Sequence, residues 1–201
     1  MSDQSWISQP FRAGVRLIEF IVRKSLHVYE FTDDPECILR IQLTTAPRAV
    51  DFGSWKISKG DPILGIHAWN ERMPKIPREG ATIEWAIRLR RQAIHSFQKV
   101  SEELQKDDKY SQVRAVYGES TIFSFSGHTG GLQMIQRLGF TIVPYHSPSG
   151  RFGEFWANLF SWWLMWAFND VSLDTRDFKK MERTEAWFKA EDFIQRFGSG
   201  A

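Results

Sequence analysis

The sequence predicts an α+β fold: a mixed, mostly antiparallel sheet with an N-terminal helix, a long central helix and a Trp-rich helix packed on it. Three observations predict it. Short apolar/polar alternations and turns crowd the stretch from Cys37 to Ala68, which reads as several strands close together. Windows beginning at Phe11 and Ile83 repeat apolar residues at helical spacing. From Gln112 to Val143 the pattern is strand, loop, helix, strand, a unit that brings parallel pairing into an otherwise antiparallel sheet.

In chain order, residues 1–10 are polar and are expected to form a disordered N-terminus ahead of one domain spanning residues 11–198. From Phe11 to Tyr29, Val15, Ile18, Val22 and Leu26 fall on one helical face, with Arg12, Arg16, Glu19, Arg23 and Lys24 elsewhere. That predicts an amphipathic helix starting after Pro10 and covering the sheet. Asp33-Asp34-Pro35 is a turn. Cys37 to Thr45 alternates, with Cys37, Leu39, Ile41 and Leu43 on one side and Arg40 and Gln42 on the other, as a half-buried strand does. Arg48 to Asp51 and Trp55 to Ile57 are short strands split by Phe52-Gly53-Ser54. After the turn Lys59-Gly60-Asp61-Pro62, an apolar strand runs to Ala68 and exits in Asn70, Glu71 and Arg72. Such spacing implies an antiparallel meander.

Lys75 to Gly80 is a proline-containing loop, and Thr82 caps a long helix from Ile83 to Lys106. Its core line is Ala86, Leu89, Ala93, Phe97, Val100 and Leu104; Arg88, Arg91, His95 and Lys99 form a solvated basic stripe. Gln112 to Gly118 is a strand that Thr121 to Phe125 either extends or turns into a hairpin. A glycine-rich loop leads to a helix over Leu132 to Leu138, capped by Gly139, and to a strand over Phe140 to Val143. Glu154 to Phe168 is a helix apolar nearly all round, which must be covered on most sides or meet lipid or a partner. Asp170 to Glu185 is charged and irregular, and Glu185 to Phe197 is a helix, or a strand and helix, closed by Gly198.

The totals narrow the function classes. The chain of 201 residues suffices for one domain with a real core. A net charge of +2 drawn from nearly balanced signs argues against nucleic acid as a partner. A single cysteine excludes an internal disulfide and a cysteine metal site. Nine Trp and sixteen Phe are heavy usage, suited to sugar, lipid or interface surfaces as well as to a core. The N-terminus has no secretory pattern, and no apolar run reaches the roughly 20 residues that span a bilayer. The expected location is the cytoplasm, with peripheral contact at the inner membrane as an extension.

The first candidate site lies where the apolar strand ends. A rigid strand delivering polar side chains at its C-terminal end is a common way to build a pocket. Alternation puts His67, Trp69 and Glu71 on one face and Asn70 on the other. His67 and Glu71 then form a candidate catalytic pair, a base and its orienting carboxylate. Trp69, Asn70 and Arg72 are candidate ligand contacts. The plainer alternative is a structural histidine followed by a strand-ending loop. The second candidate is the loop 127–131 ahead of a helix, where His128 and the Gly130 backbone could meet an anionic group. It matches neither P-loop nor Rossmann spacing, and a simple glycine-rich turn explains it as well. Glu119, near by in sequence, is a further candidate ligand contact, but no Gly-x-Ser-x-Gly elbow frames Ser120. There is no His-Glu-x-x-His and no histidine pair at i, i+4, so neither a metal nor another cofactor is expected.

Cys37-Ile38-Leu39-Arg40, Lys59-Gly60-Asp61-Pro62 and Gly65-Ile66-His67-Ala68-Trp69-Asn70-Glu71-Arg72-Met73-Pro74 together resemble the YkoP-like domain family. In that family a Gly-Asp pair precedes a strand ending in His-x-x-Asn. Arg137-Leu138-Gly139-Phe140, Trp166-Ala167-Phe168-Asn169 and Arg196-Phe197-Gly198 are similar to further family positions, so the resemblance covers most of the chain. It implies a poorly characterised bacterial domain, sometimes fused to polysaccharide deacetylases, and hence a link to envelope carbohydrate or glycolipid. The resemblance carries no deacetylase activity or metal over to these residues.

Three functions follow as expectations. One is a ligand-binding or accessory domain for a sugar-containing or lipid-linked molecule. Another is a transferase or hydrolase with His67 as general base. The last is a membrane-surface or homodimeric adaptor using the Trp-rich helix.

Overall fold

The computed structural model describes residues 5–121, 130–147, 149–174 and 176–198. The elements in chain order are α1 (Ser5–Ser25), β1 (Leu39–Thr45), β2 (Val50–Asp51), β3 (Lys56–Ile57), β4 (Pro62–Ala68), α2 (Ile83–Lys106), β5 (Ala115–Ser120), α3 (Gly130–Arg137), β6 (Thr141–Pro144), α4 (Gly150–Phe168), β7 (Thr184–Lys189) and α5 (Ala190–Phe197). The main sheet has the order β1-β4-β5-β7-β6, and β2 and β3 make a separate two-stranded sheet. β1 and β4 pair antiparallel from Leu39↔Ala68 to Thr45↔Pro62, while β4 and β5 pair parallel. That parallel step needs a crossover, which α2 supplies. The remaining neighbours are antiparallel, so the α+β fold with a mixed, mostly antiparallel sheet is what the chain adopts.

Local signals explain most boundaries. The Thr82 hydroxyl accepts from the Trp85 amide at 3.2 Å and starts α2. Gly139 follows α3 with φ +104°, and a Cβ there would lie 2.7 Å from the Phe188 ring, so glycine is required twice over. The last segment resolves into β7 followed by α5. A hydrogen-bonded bridge joins Tyr29 to Ile41 along the outer side of β1. Residues 122–125, a possible strand extension, lie outside the described residues, as do 126–129 of the glycine-rich loop.

One face of the sheet is an aromatic core. Leu64, Val116, Ala186 and Phe188 meet Phe97, Val100 and Leu104 of α2 and Phe193 and Phe197 of α5. The opposite face is divided. Around Trp187, the β2–β3 pair contributes Val50 and Ile57 to a smaller cluster with Ile63. Next to it stand Arg40, Gln42, His67 and Glu119, which α1 and α4 cover.

Two expectations are corrected here. First, α1 runs back through Pro10 to Ser5, so residues 5–10 are helical rather than disordered. The proline forfeits one backbone hydrogen bond and sits at an exposed position of the helix. Second, α1 is rotated from the expected pose. Glu19 is buried, while Ile18 and Leu26 of the expected core face are exposed, together with Leu17, Phe20 and Ile21. The partner it covers is not greasy: Arg40 on the sheet draws the Glu19 side of the helix inward.

The Trp-rich α4 packs on α1 by its C-terminal half, where Arg12 lies over the Trp166 ring and Arg16 donates to the Ala167 carbonyl. Trp162 stands edge-on to Phe178. Only Asn158, Met165 and Ala167 of α4 are buried, and Phe152, Phe155, Trp156 and Trp163 are exposed.

Candidate ligand-binding site

A cavity of about 360 Å³ lies between the charged half of the sheet, α1 and α4. His67, Asn70, Glu119 and Arg40 supply its polar side, and Leu26, Phe160 and Leu164 are among its apolar walls. Its size is at the small end of ordinary small-molecule sites.

Arg40, only 2% exposed, organises the polar side. Its Nη1 lies 3.3 Å from Glu19, and its Nη2 lies 3.1 Å from Glu30 and 3.2 Å from Glu71. Glu30 and Glu71 are partly solvated, but Glu19 is not, and burial raises its carboxyl above the ordinary range even beside the arginine. A buried cation with one buried carboxylate is costly to break, because the survivor keeps its desolvation penalty without its partner.

His67 is adjacent to this cluster and shares no bond with Glu71. Its Nε2 stands 3.0 Å from the Gln42 side-chain oxygen. The Gln42 amide nitrogen already donates to the Leu26 carbonyl at 2.7 Å, so the amide oxygen must be the atom facing His67. Nε2 therefore carries the proton, and Nδ1 is left as an acceptor. Burial, reinforced by Arg40, lowers the His67 pKa from 6.5 to about 4. The imidazole is neutral near pH 7 and a weak base.

The other sequence candidates divide. Asn70 and Glu119 line the same cavity as His67. The Asn70 side chain makes no hydrogen bond among the described residues, and Glu119 accepts from the Tyr117 hydroxyl at 3.0 Å and from Arg183 at 3.4 Å. Glu71 is held by Arg40 instead of orienting His67. Trp69 is buried between two guanidinium groups, Arg40 at 4.7 Å and Arg72 at 3.4 Å from its ring. Arg72 also donates to the Asp34 and Cys37 carbonyls, which ties down the turn before β1 and keeps it away from the cavity. Gly130 opens α3, and His128 lies outside the described residues.

The sequence reading missed Glu19, Arg40, Gln42, Ser172 and Arg183. Arg183 extends from the start of β7 to α4, donating to the Ala157 carbonyl at 2.7 Å and to Ser161 at 2.8 Å. Its Nε and the Ser172 hydroxyl are both buried on the cavity wall and have no partner among the described residues. A signal for Arg40 and Gln42 did exist: they alternate with apolar residues on β1, and the helix preceding it has acid and base at matching spacing. Ser172 and Arg183 come from an irregular stretch with no such pattern.

The model of the YkoP domain family matches residues 11–197. The chain belongs to the YkoP domain family. The match takes in every element of the YkoP fold described above except the first residues of α1. No curated protein and no solved structure matches the chain. Among the described residues, no three His, Cys, Asp or Glu side chains gather where they could hold a metal ion, and no helix is long and apolar enough to cross a membrane.

Proposed function

We propose that this YkoP domain binds an amphipathic small molecule with a neutral, hydroxyl-rich head: a sugar-containing or lipid-linked compound. The observation that carries the reading is the two-sided cavity. Its apolar walls suit a hydrocarbon portion. Its polar side offers acceptors at His67 Nδ1 and Glu119, and donors at the Asn70 amide, the Ser172 hydroxyl and Arg183 Nε. Sugar hydroxyls both donate and accept, so this mixture suits them. Of the arginines that line the cavity, Arg23, Arg40 and Arg183 already face carboxylates, so only Arg176, beside the Met165 sulfur, favours an anionic head. Placing the ligand in envelope polysaccharide or glycolipid metabolism rests on what the family resemblance implies.

A base-catalysed transferase or hydrolase is the weaker reading. It would need an orienting partner for His67 and a pKa nearer the working pH. Glu71 is committed to Arg40, and the imidazole is depressed to about 4.

The test is thermal unfolding of the whole chain with octyl glucoside below its micellar concentration, with glucose and octanoate as separate controls. At tenfold excess over Kd, octyl glucoside is expected to raise Tm by roughly 3–5 °C, more than either half-molecule. Leu164→Trp, which fills the apolar wall, should abolish the shift. No shift, or one that Leu164→Trp leaves intact, would sink the reading.

A further inference from the structure

α1 wears its hydrophobicity on the outside. Phe11 is 67% exposed, Leu17 60% and Ile21 57%, with Ile18 and Phe20 also open. Residues 10, 14, 17 and 21 follow one another up the outer face at helical spacing, and Ala13, Ile18 and Phe20 broaden it. At about 1.5 Å per residue the strip from Pro10 to Ile21 is roughly 16 Å long, too extended for a scattered surface leucine to explain.

The charges beside the strip have one sign. Lys24 is exposed at the end of the strip. Arg16 is exposed on its flank while its guanidinium reaches α4, donating to the Ala167 carbonyl at 3.3 Å and lying 5.2 Å from the Phe168 ring, and Arg12 and Arg23 stand behind them. The single acid of the helix, Glu19, is buried against Arg40. The nearest acids on other elements are occupied: Asp170 by Arg12 at 2.6 Å, and Glu30 by Arg40 and Arg23. Lys24 and Arg23 lie over the Phe20 ring at 5.8 and 5.4 Å, an arrangement that lets a cation sit at the rim of a buried aromatic.

From this we infer that α1 docks, apolar face down, on an anionic lipid surface. An interfacial helix of this kind has aromatic and aliphatic residues on one side, arginine and lysine at the flanks, and lies in the plane of the headgroups. A second copy of the chain fits less well. A two-fold interface sets each patch against itself, so the Arg16 and Lys24 charges of both copies would crowd one seam with no exposed acid from α1 to answer them. The inference stands apart from the ligand reading, although the other side of α1, at Glu19, Val22 and Arg23, lines the cavity, with Leu26 just past its end. A docked helix would hold that cavity against the bilayer.

The experiment is flotation of the whole chain with vesicles of phosphatidylcholine mixed with phosphatidylglycerol, against vesicles of phosphatidylcholine alone. The chain should float with the mixed vesicles and much less with the neutral ones, and high salt should reduce the difference. Leu17→Glu/Ile21→Glu should remove flotation while leaving Tm unchanged, since both side chains already face water. Arg16→Gln/Lys24→Gln should weaken partition roughly 25-fold, about fivefold per cation, with the apolar strip intact. Three outcomes would overturn the inference: no flotation with mixed vesicles, flotation indifferent to Leu17→Glu/Ile21→Glu, or a dimer in sedimentation that those substitutions dissolve. Octyl glucoside binding is read separately, so either result can fail alone.

Discussion

On one face of the main sheet, Phe97, Phe140, Phe188, Phe193 and Phe197 meet with ring centroids 4.8–6.2 Å apart. On the other, Arg40 sits among Glu19, Glu30 and Glu71, with a cavity beside it. The first face is filled by shape, and its stability comes from apolar area and packing. The second is filled by charge, which recovers through pairing only part of what burial costs. A protein needing stability alone would make both faces like the first. The polar face is therefore where binding capacity is expected, and each of the following substitutions tests that contrast.

The largest effect should come from the aromatic face. Phe193→Ala empties the centre of a fully buried cluster and should cost about 3–5 kcal/mol, measured by urea unfolding. On the charged face, Arg40→Met should cost about 3 kcal/mol by leaving buried Glu19 only the more distant Arg23, at 3.7 Å. Arg40→Met combined with Glu19→Leu should recover most of that, because removing both charges removes the penalty as well. If the double variant is no better than the single, the charged face is stabilising in its own right and the contrast fails.

Acid should also separate the faces. His67 has its folded pKa depressed to about 4 from 6.5, so its unfolded form binds the proton first. The contribution is fully present above pH 6.5, and it is lost as pH falls from there to about 4. His67→Gln should flatten that decline by up to about 3 kcal/mol, read as the difference between the two unfolding curves over this range. Glu19, raised by burial, titrates in the opposite sense and is common to both proteins, so it cancels in the difference.

Smaller effects belong to the cavity and the outer surface. Ser172→Ala should leave stability within about 0.5 kcal/mol and weaken octyl glucoside binding roughly three- to tenfold by calorimetry, the loss of one neutral hydrogen bond. Leu17→Glu alone should change unfolding by less than about 0.5 kcal/mol, since no described residue buries its side chain.

The aromatic face was legible because its residues obey simple periods. The α2 positions Ala93, Phe97, Val100 and Leu104 and the alternation of β1 place the sheet and its crossover helix before any coordinates exist. The charged face was not. Periodicity says which side of α1 is apolar but not which side faces in, and that choice depends on what lies opposite. Here the opposite side chain is Arg40, so the usual rule reverses. The same limit governed the site. His67, Asn70 and Glu119 were within reach because a strand end exposes its polar residues. Ser172 and Arg183 reach the cavity only through tertiary folding of an irregular segment. Glu71 was assigned by alternation to His67, but Arg40 on the next strand competes for it with a full charge.

The bridge between Tyr29 and Ile41 has a consequence for solubility. It occupies backbone groups on the outer border of β1, with Tyr29 N donating to Ile41 O at 2.9 Å and Ile41 N to Tyr29 O at 3.1 Å. The opposite border, β6, is four residues long and ends in Pro144, which cannot donate. The bridge interrupts the row of outward amides on β1 at Ile41, and the short β6 ends in a proline, so a foreign strand meets a broken template at one margin and a brief one at the other.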